Sequence, residues 1–95
     1  MYARLVSFDL QSGKESVAAE MAGELVPSIS QQPGCRAVTC FGDSESGRYY
    51  LYVLWGSEAE ANAAAVDMAP RLQQHLAGNT IAPPERHLYP VIESA

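Results

Sequence analysis

Residues 48–55 read Arg48-Tyr-Tyr-Leu-Tyr-Val-Leu-Trp55, and the pattern within them decides how the rest of the chain is arranged. In an extended chain Tyr49, Leu51, Val53 and Trp55 point to one side, and Tyr50, Tyr52 and Leu54 to the other. A strand with one wet face alternates apolar and polar residues. This one is apolar or aromatic on both parities, so both of its faces are expected to be covered. One layer of helices covers one face. A chain of 95 residues has little material for another layer, so a second copy of the same chain is expected on the other face.

Working outward, Gly42 to Gly47 (GDSESG) is a polar loop joining Arg48–Trp55 to a preceding strand, Cys35 to Phe41, as a hairpin. Gly56 ends the strand. Ser57-Glu-Ala-Glu60 then has the form of a capping box opening an Ala-rich helix through Val66. Pro70 is expected to interrupt it, with Asp67 capping a separate short helix from about Ala69 to Ala77. Gly78-Asn79 ends that helix, Ala82-Pro83-Pro84 is extended, and Arg86 to Ile92 reads as a last strand with Pro90 at an edge or bulge.

Toward the N-terminus, Tyr2 to Leu10 reads as a strand whose faces are both partly apolar. Ser12-Gly-Lys-Glu15 resembles a second capping box. Val17, Met21, Leu25 and Ile29 recur every four residues on the helix that follows, with Pro27 predicting a bend or an irregular last turn. Gln32-Pro33-Gly34 turns the chain into the hairpin. The order strand, helix, strand, strand, helix, strand predicts one α+β domain over residues 1–95. Its architecture is ferredoxin-like βαββαβ, an antiparallel sheet with helices on one face.

Composition narrows the functional classes. The formal charge is −5 and the six Lys and Arg residues are scattered singly, which argues against nucleic acid as a partner. Met1 runs straight into a strand pattern and no stretch approaches a membrane span, so a cytoplasmic protein with no membrane partner is expected. Cys35 and Cys40 are five apart, which in a regular strand puts them on opposite faces as reduced, packed thiols. His75, His87 and the scattered carboxylates have no ligand spacing, so no metal site is expected.

Several residues admit two readings. Trp55 is either a core aromatic at a strand end or a substrate contact. His75 is either a solvent-facing residue near a helix C-terminus or, over the sheet, a base that titrates near neutral pH. His87 and Tyr89 share one face of the last strand and line a cavity or a barrel wall. Glu15, Glu58 and Glu60 are helix-start charges before they are catalytic acids.

The start MYARLVSF, the turn QPGCRA, the strand ending LW-G-SEAEA and the final LYPV resemble the antibiotic biosynthesis monooxygenase superfamily of dimeric α+β barrels. The resemblance covers nearly the whole chain. It implies a homodimer closed through the sheet faces and a pocket between sheet and helices for a small aromatic or hydrophobic molecule. It also implies either oxidation of a quinol-like or anthrone-like substrate by O₂ without a cofactor, or haem degradation. Trp55 matches the family's tryptophan at the end of the third strand. The asparagine of cofactor-free members falls on Leu51 and the tyrosine of the following helix on Ala61. A cationic residue of the second helix falls near His75. The strand-one asparagine and second tryptophan of the haem-degrading members have no counterpart, which makes haem degradation the least favoured activity. The implied site is His75 and Trp55 as catalytic residues, with Leu51, Tyr49 and Val53 against the substrate. The alternative is a non-catalytic dimeric module that binds a small hydrophobic ligand or serves as a structural barrel.

Overall fold

The computed structural model describes residues 1–80 and 82–95. Strand β1 (Tyr2–Asp9) is followed by helix α1 (Glu15–Ser30), β2 (Cys35–Asp43), β3 (Arg48–Trp55), α2 (Glu58–Leu76) and β4 (Glu85–Pro90). The four strands form one antiparallel sheet in the order β2-β3-β1-β4. This is the ferredoxin-like βαββαβ arrangement anticipated from the pattern. Both faces of β3 behave as its residues require: Tyr49, Leu51, Val53 and Trp55 are buried, while Tyr50, Tyr52 and Leu54 are half-buried. The core lies between the buried face and the helices, where Val6, Phe8 and Leu10 meet Met21, Leu25 and Ile29 of α1 and Met68, Leu72 and Leu76 of α2.

The strand β2 departs from its expected parity. It pairs Cys35 with Trp55 but Ala37 with Leu54, so Arg36 is an extra residue bulged out of the ladder. Directly paired residues share a face, and a one-residue insertion shifts every later side chain to the other side. Cys35 and Cys40 therefore lie on the same face, packed against the core beneath the helices, and not on opposite faces. Both are free thiols. Burial pushes each thiol up from its ordinary range, only partly offset at Cys35 by a hydrogen bond with the Ala37 backbone, which leaves little of the reactive thiolate at neutral pH.

The helix starts differ. Ser57 caps α2 as expected: its Oγ accepts from the Glu60 amide at 3.2 Å and donates to the Glu60 carboxylate at 3.0 Å. Ser12 does not cap α1. The helix begins one residue beyond Lys14, which makes no side-chain cap bond, because Gly13 first turns the chain at φ +79° and donates its amide to Ser44 at the hairpin tip, 3.2 Å away. Ser57→Ala should therefore cost about 1 kcal/mol. Ser12→Ala should change stability by no more than about 0.5 kcal/mol, and urea unfolding of the two variants distinguishes them.

Both prolines sit inside continuous helices, Pro27 in α1 and Pro70 in α2. The expected break at Pro70 does not occur. Each proline deprives a carbonyl four residues back of its donor, and those carbonyls belong to the exposed Gly23 and to Val66, which is 79% exposed, where water can replace the lost bond. Met68 before the proline and Leu72 and Leu76 after it are all buried, so packing holds α2 in one piece. Two turn glycines are fixed by close approach. At Gly47 (φ +79°) a Cβ would stand 2.5 Å from the Gln11 carbonyl carbon, and at Gly34 (φ +85°) it would meet the Glu60 carboxylate at 2.3 Å.

Candidate active site

Trp55 is placed by three strands at once. It ends β3 opposite Tyr2 of β1 and Cys35 of β2, and the next amide, Gly56, donates to Gly34 at 2.9 Å. Its side chain is thereby held under the first turns of α2. A cavity of about 50 Å³ opens there. Val6, Leu51, Val53 and Trp55 form its sheet side, Ile29 closes it from α1, and Ala61, Ala64, Ala65, Met68, Ala69 and Leu72 form its roof. The space exists because four of those roof residues are alanine, whose side chains stop short of the sheet. The volume is about a third of the roughly 150 Å³ cavity that admits benzene, so a ring-sized ligand enters only partway unless α2 yields.

The cavity wall is apolar except for Arg4 and Arg86. Both lie on the helix face of the sheet, since Arg4 pairs with Val53 and Arg86 with Val6. Arg4 is half-buried and donates from Nη2 to Oδ1 of Asn62 at 3.1 Å. Desolvation by burial, and then the neighbouring Arg86 charge, depress its guanidinium pKa. One further polar atom belongs to a residue of the wall. The indole Nε1 of Trp55 is buried and has no hydrogen-bond partner, an arrangement that costs about 1–3 kcal/mol if nothing accepts from it.

Of the residues expected at a site, Trp55, Leu51 and Val53 line this cavity together. Tyr49 is on the same face but beyond it, stacked on Phe8 at 6.2 Å and bordering a second, more open depression of about 320 Å³ beside Cys40 and α1. His75 is also outside the cavity, where the sequence reading had its imidazole reach Trp55. Its Nε2 lies 3.1 Å from the Glu24 carboxylate of α1. The reason is periodicity. Asp67, Arg71 and His75 are four apart on one stripe of α2, and Glu24 and Ser28 of α1, with Gln32 in the turn just beyond it, keep the same spacing. The two stripes meet antiparallel: Gln32 donates to Asp67 at 2.9 Å, Arg71 to Ser28 at 3.5 Å, and His75 faces Glu24. His75 thus joins helix to helix.

Arg4 and Arg86 were missed. A signal for Arg4 was present, since it shares parity with the apolar Tyr2, Val6, Phe8 and Leu10 of the same strand. Arg86 had none, because its neighbours in sequence do not reveal which face of an edge strand meets α2. Among the described residues no group of three or more His, Cys, Asp or Glu could hold a metal ion, and no helix is long and apolar enough to cross a membrane.

The comparisons with other proteins agree with this architecture. A candidate antibiotic biosynthesis monooxygenase from Nitrosomonas europaea superposes with a TM-score of 0.82 at 18% identity, covering 98% of this chain and 100% of its own. A monooxygenase encoded by ActVA-Orf6 of Streptomyces coelicolor, solved with nanaomycin D, superposes at 0.77 with 19% identity over 99% of this chain and 89% of its own. A variant of MhuD carrying two manganese protoporphyrin IX molecules per active site gives 0.77 at 12% identity, covering 100% and 98%. At these identities the likeness is one of fold. No curated protein sequence matches the chain. The sequence profile of the antibiotic biosynthesis monooxygenase family matches residues 1–65, more than half of the chain, taking in β1, α1, β2, β3 and α2 as far as Ala65, and the protein therefore belongs to that family.

Proposed function

We propose that the protein is a homodimeric monooxygenase that oxidises a quinol-like or anthrone-like aromatic substrate with O₂ and no cofactor, in the cavity beside Trp55. The observation that carries this reading is the apolar cavity itself, lined by Trp55, whose buried indole N–H has no acceptor. Family membership supports the reaction class. The substrate supplies the electrons: an anthrone CH₂ becomes C=O as one oxygen atom of O₂ enters the carbon and the other leaves as water. Trp55, Leu51 and Val53 exclude water from the ring, and the indole N–H donates to the substrate's oxygen. A dry, low-dielectric wall strengthens that single hydrogen bond.

One observation favours the second reading, a binding module without catalysis. No carboxylate or imidazole lines the cavity, so deprotonation of the substrate falls to solvent. Oxygen uptake with an anthrone or a dihydroquinone decides between them. Uptake that His75→Ala leaves unchanged and that filling the cavity by Ala64→Phe abolishes is the result expected of an oxygenase. Binding of the same compounds without uptake is the result expected of the module.

The second protomer belongs on the open sheet face. Phe41 stacks on Tyr50 at 5.2 Å, and His87 stacks on Tyr89 at 5.8 Å. Phe41 is 51% and Tyr89 53% exposed in the single protomer. Leu5, Tyr52 and Leu54 extend this patch across the centre of the sheet. A continuous aromatic surface of that kind is unusual on a soluble monomer and marks an interaction face, and a self-complementary two-fold contact covers it with the least material.

A further inference from the structure

Arg4 and Arg86 both line the cavity from adjacent strands, Arg86 standing opposite Val6, two residues along β1 from Arg4. Like charges so placed repel, and their cost is ordinarily removed by an acid nearby. Here it is not. Among the described residues the ion pair formed is that of His75 with Glu24, and Arg4 bonds only the neutral carboxamide of Asn62. The chain carries eleven Asp and Glu against six Lys and Arg, so acids are plentiful, yet none lines this cavity. Two guanidinium groups without a counter-ion at the mouth of an apolar pocket define an anion site joined to a hydrophobic one.

We propose that the ligand of this cavity is an apolar molecule bearing a carboxylate, whose body lies against Trp55 and α2 and whose carboxylate is held by Arg4 and Arg86. The assignment rests on the cavity being a ligand site and adds the charge of what enters it. Guanidinium donors match the two oxygens of a carboxylate, and partial burial at Arg4 strengthens the contact by limiting its solvation. The arginines also orient the ligand, since only its uncharged end can pass under the alanines of α2.

Trp55 is the single tryptophan of the chain and forms part of the wall, so its emission reports entry. The test titrates the full-length protein with benzoate and with benzamide, which have nearly the same shape and differ in charge, following binding by calorimetry and by Trp55 fluorescence. Benzoate should bind at least about tenfold more tightly, the equivalent of one charge-assisted hydrogen bond. Its advantage should shrink as salt is raised, and Arg4→Gln and Arg86→Gln should each reduce it while leaving benzamide affinity unchanged. Circular dichroism of the variants checks that they fold. Equal affinity for the two compounds, with Trp55 responding to both, overturns the carboxylate assignment and leaves the cavity as a ligand site. Absence of any Trp55 response to either compound overturns both readings.

Discussion

Leu5→Lys should turn the proposed dimer into monomers. Leu5 occupies the centre of the open sheet face, paired with Tyr52 on one side and His87 on the other, and is half-buried even in the single protomer. A two-fold axis through this face brings both lysines into an interface of aromatic side chains, where an unpaired ammonium costs several kcal/mol of desolvation. Sedimentation velocity at micromolar concentration should give the mass of one chain for Leu5→Lys and of two for the parent protein. Leu5→Ala should remain dimeric, because it removes area without inserting a charge. The melting temperature of the parent should rise with protein concentration and that of the lysine variant should not. A lysine variant that stays dimeric would place the contact elsewhere.

At Trp55 the two replacements should diverge widely. Trp55→Ala removes a side chain that is only 3% exposed and enlarges an existing cavity, which costs about 3–5 kcal/mol, a large share of the roughly 5–15 kcal/mol that holds a domain together. Trp55→Phe leaves most of the ring in place and deletes the indole N–H that finds no acceptor. Relief of about 1–3 kcal/mol from that group offsets the lost ring area, so the phenylalanine variant should be close to the parent in stability while binding its ligand more weakly. Urea unfolding followed by far-ultraviolet circular dichroism measures both without relying on tryptophan emission. Equal loss in the two variants would mean that the N–H is already satisfied.

The fold was legible because β3 is apolar on both parities and α1 carries a four-residue apolar stripe. Those features depend on sequence spacing alone, and α1, β3 and the two faces of β3 followed from them. What escaped depends on spacing that contacts override. The Arg36 bulge reversed the parity of β2 and moved Cys40 beneath α1. Packing of Leu72 and Leu76 carried α2 through Pro70. The letters Ser12-Gly-Lys-Glu15 fit a capping box, but Gly13 uses its left-handed conformation to dock the loop on the hairpin before the helix begins. For the site, Trp55 with Leu51 and Val53 could be read from one strand. His75 could not, because its position relative to the sheet depends on which stripe of α2 meets α1, and the pairing of Gln32 with Asp67 that sets it joins residues thirty-five apart.

The bulge at Arg36 bears on how this chain tolerates changes of length. Because Arg36 is surplus to the ladder, the nine residues of β2 span one fewer pairing step than a regular strand of the same length. The connection from α1 through Gly34 to Gly56 is measured against that shortened span. Deleting Arg36 would join Cys35 directly to Ala37, and the regular ladder that results keeps Cys35 opposite Trp55 and Ala37 opposite Leu54, with Gly34 still accepting from the Gly56 amide. Deletion at this one exposed position should therefore leave the turn beneath Trp55 in place, as should substitution of the same residue.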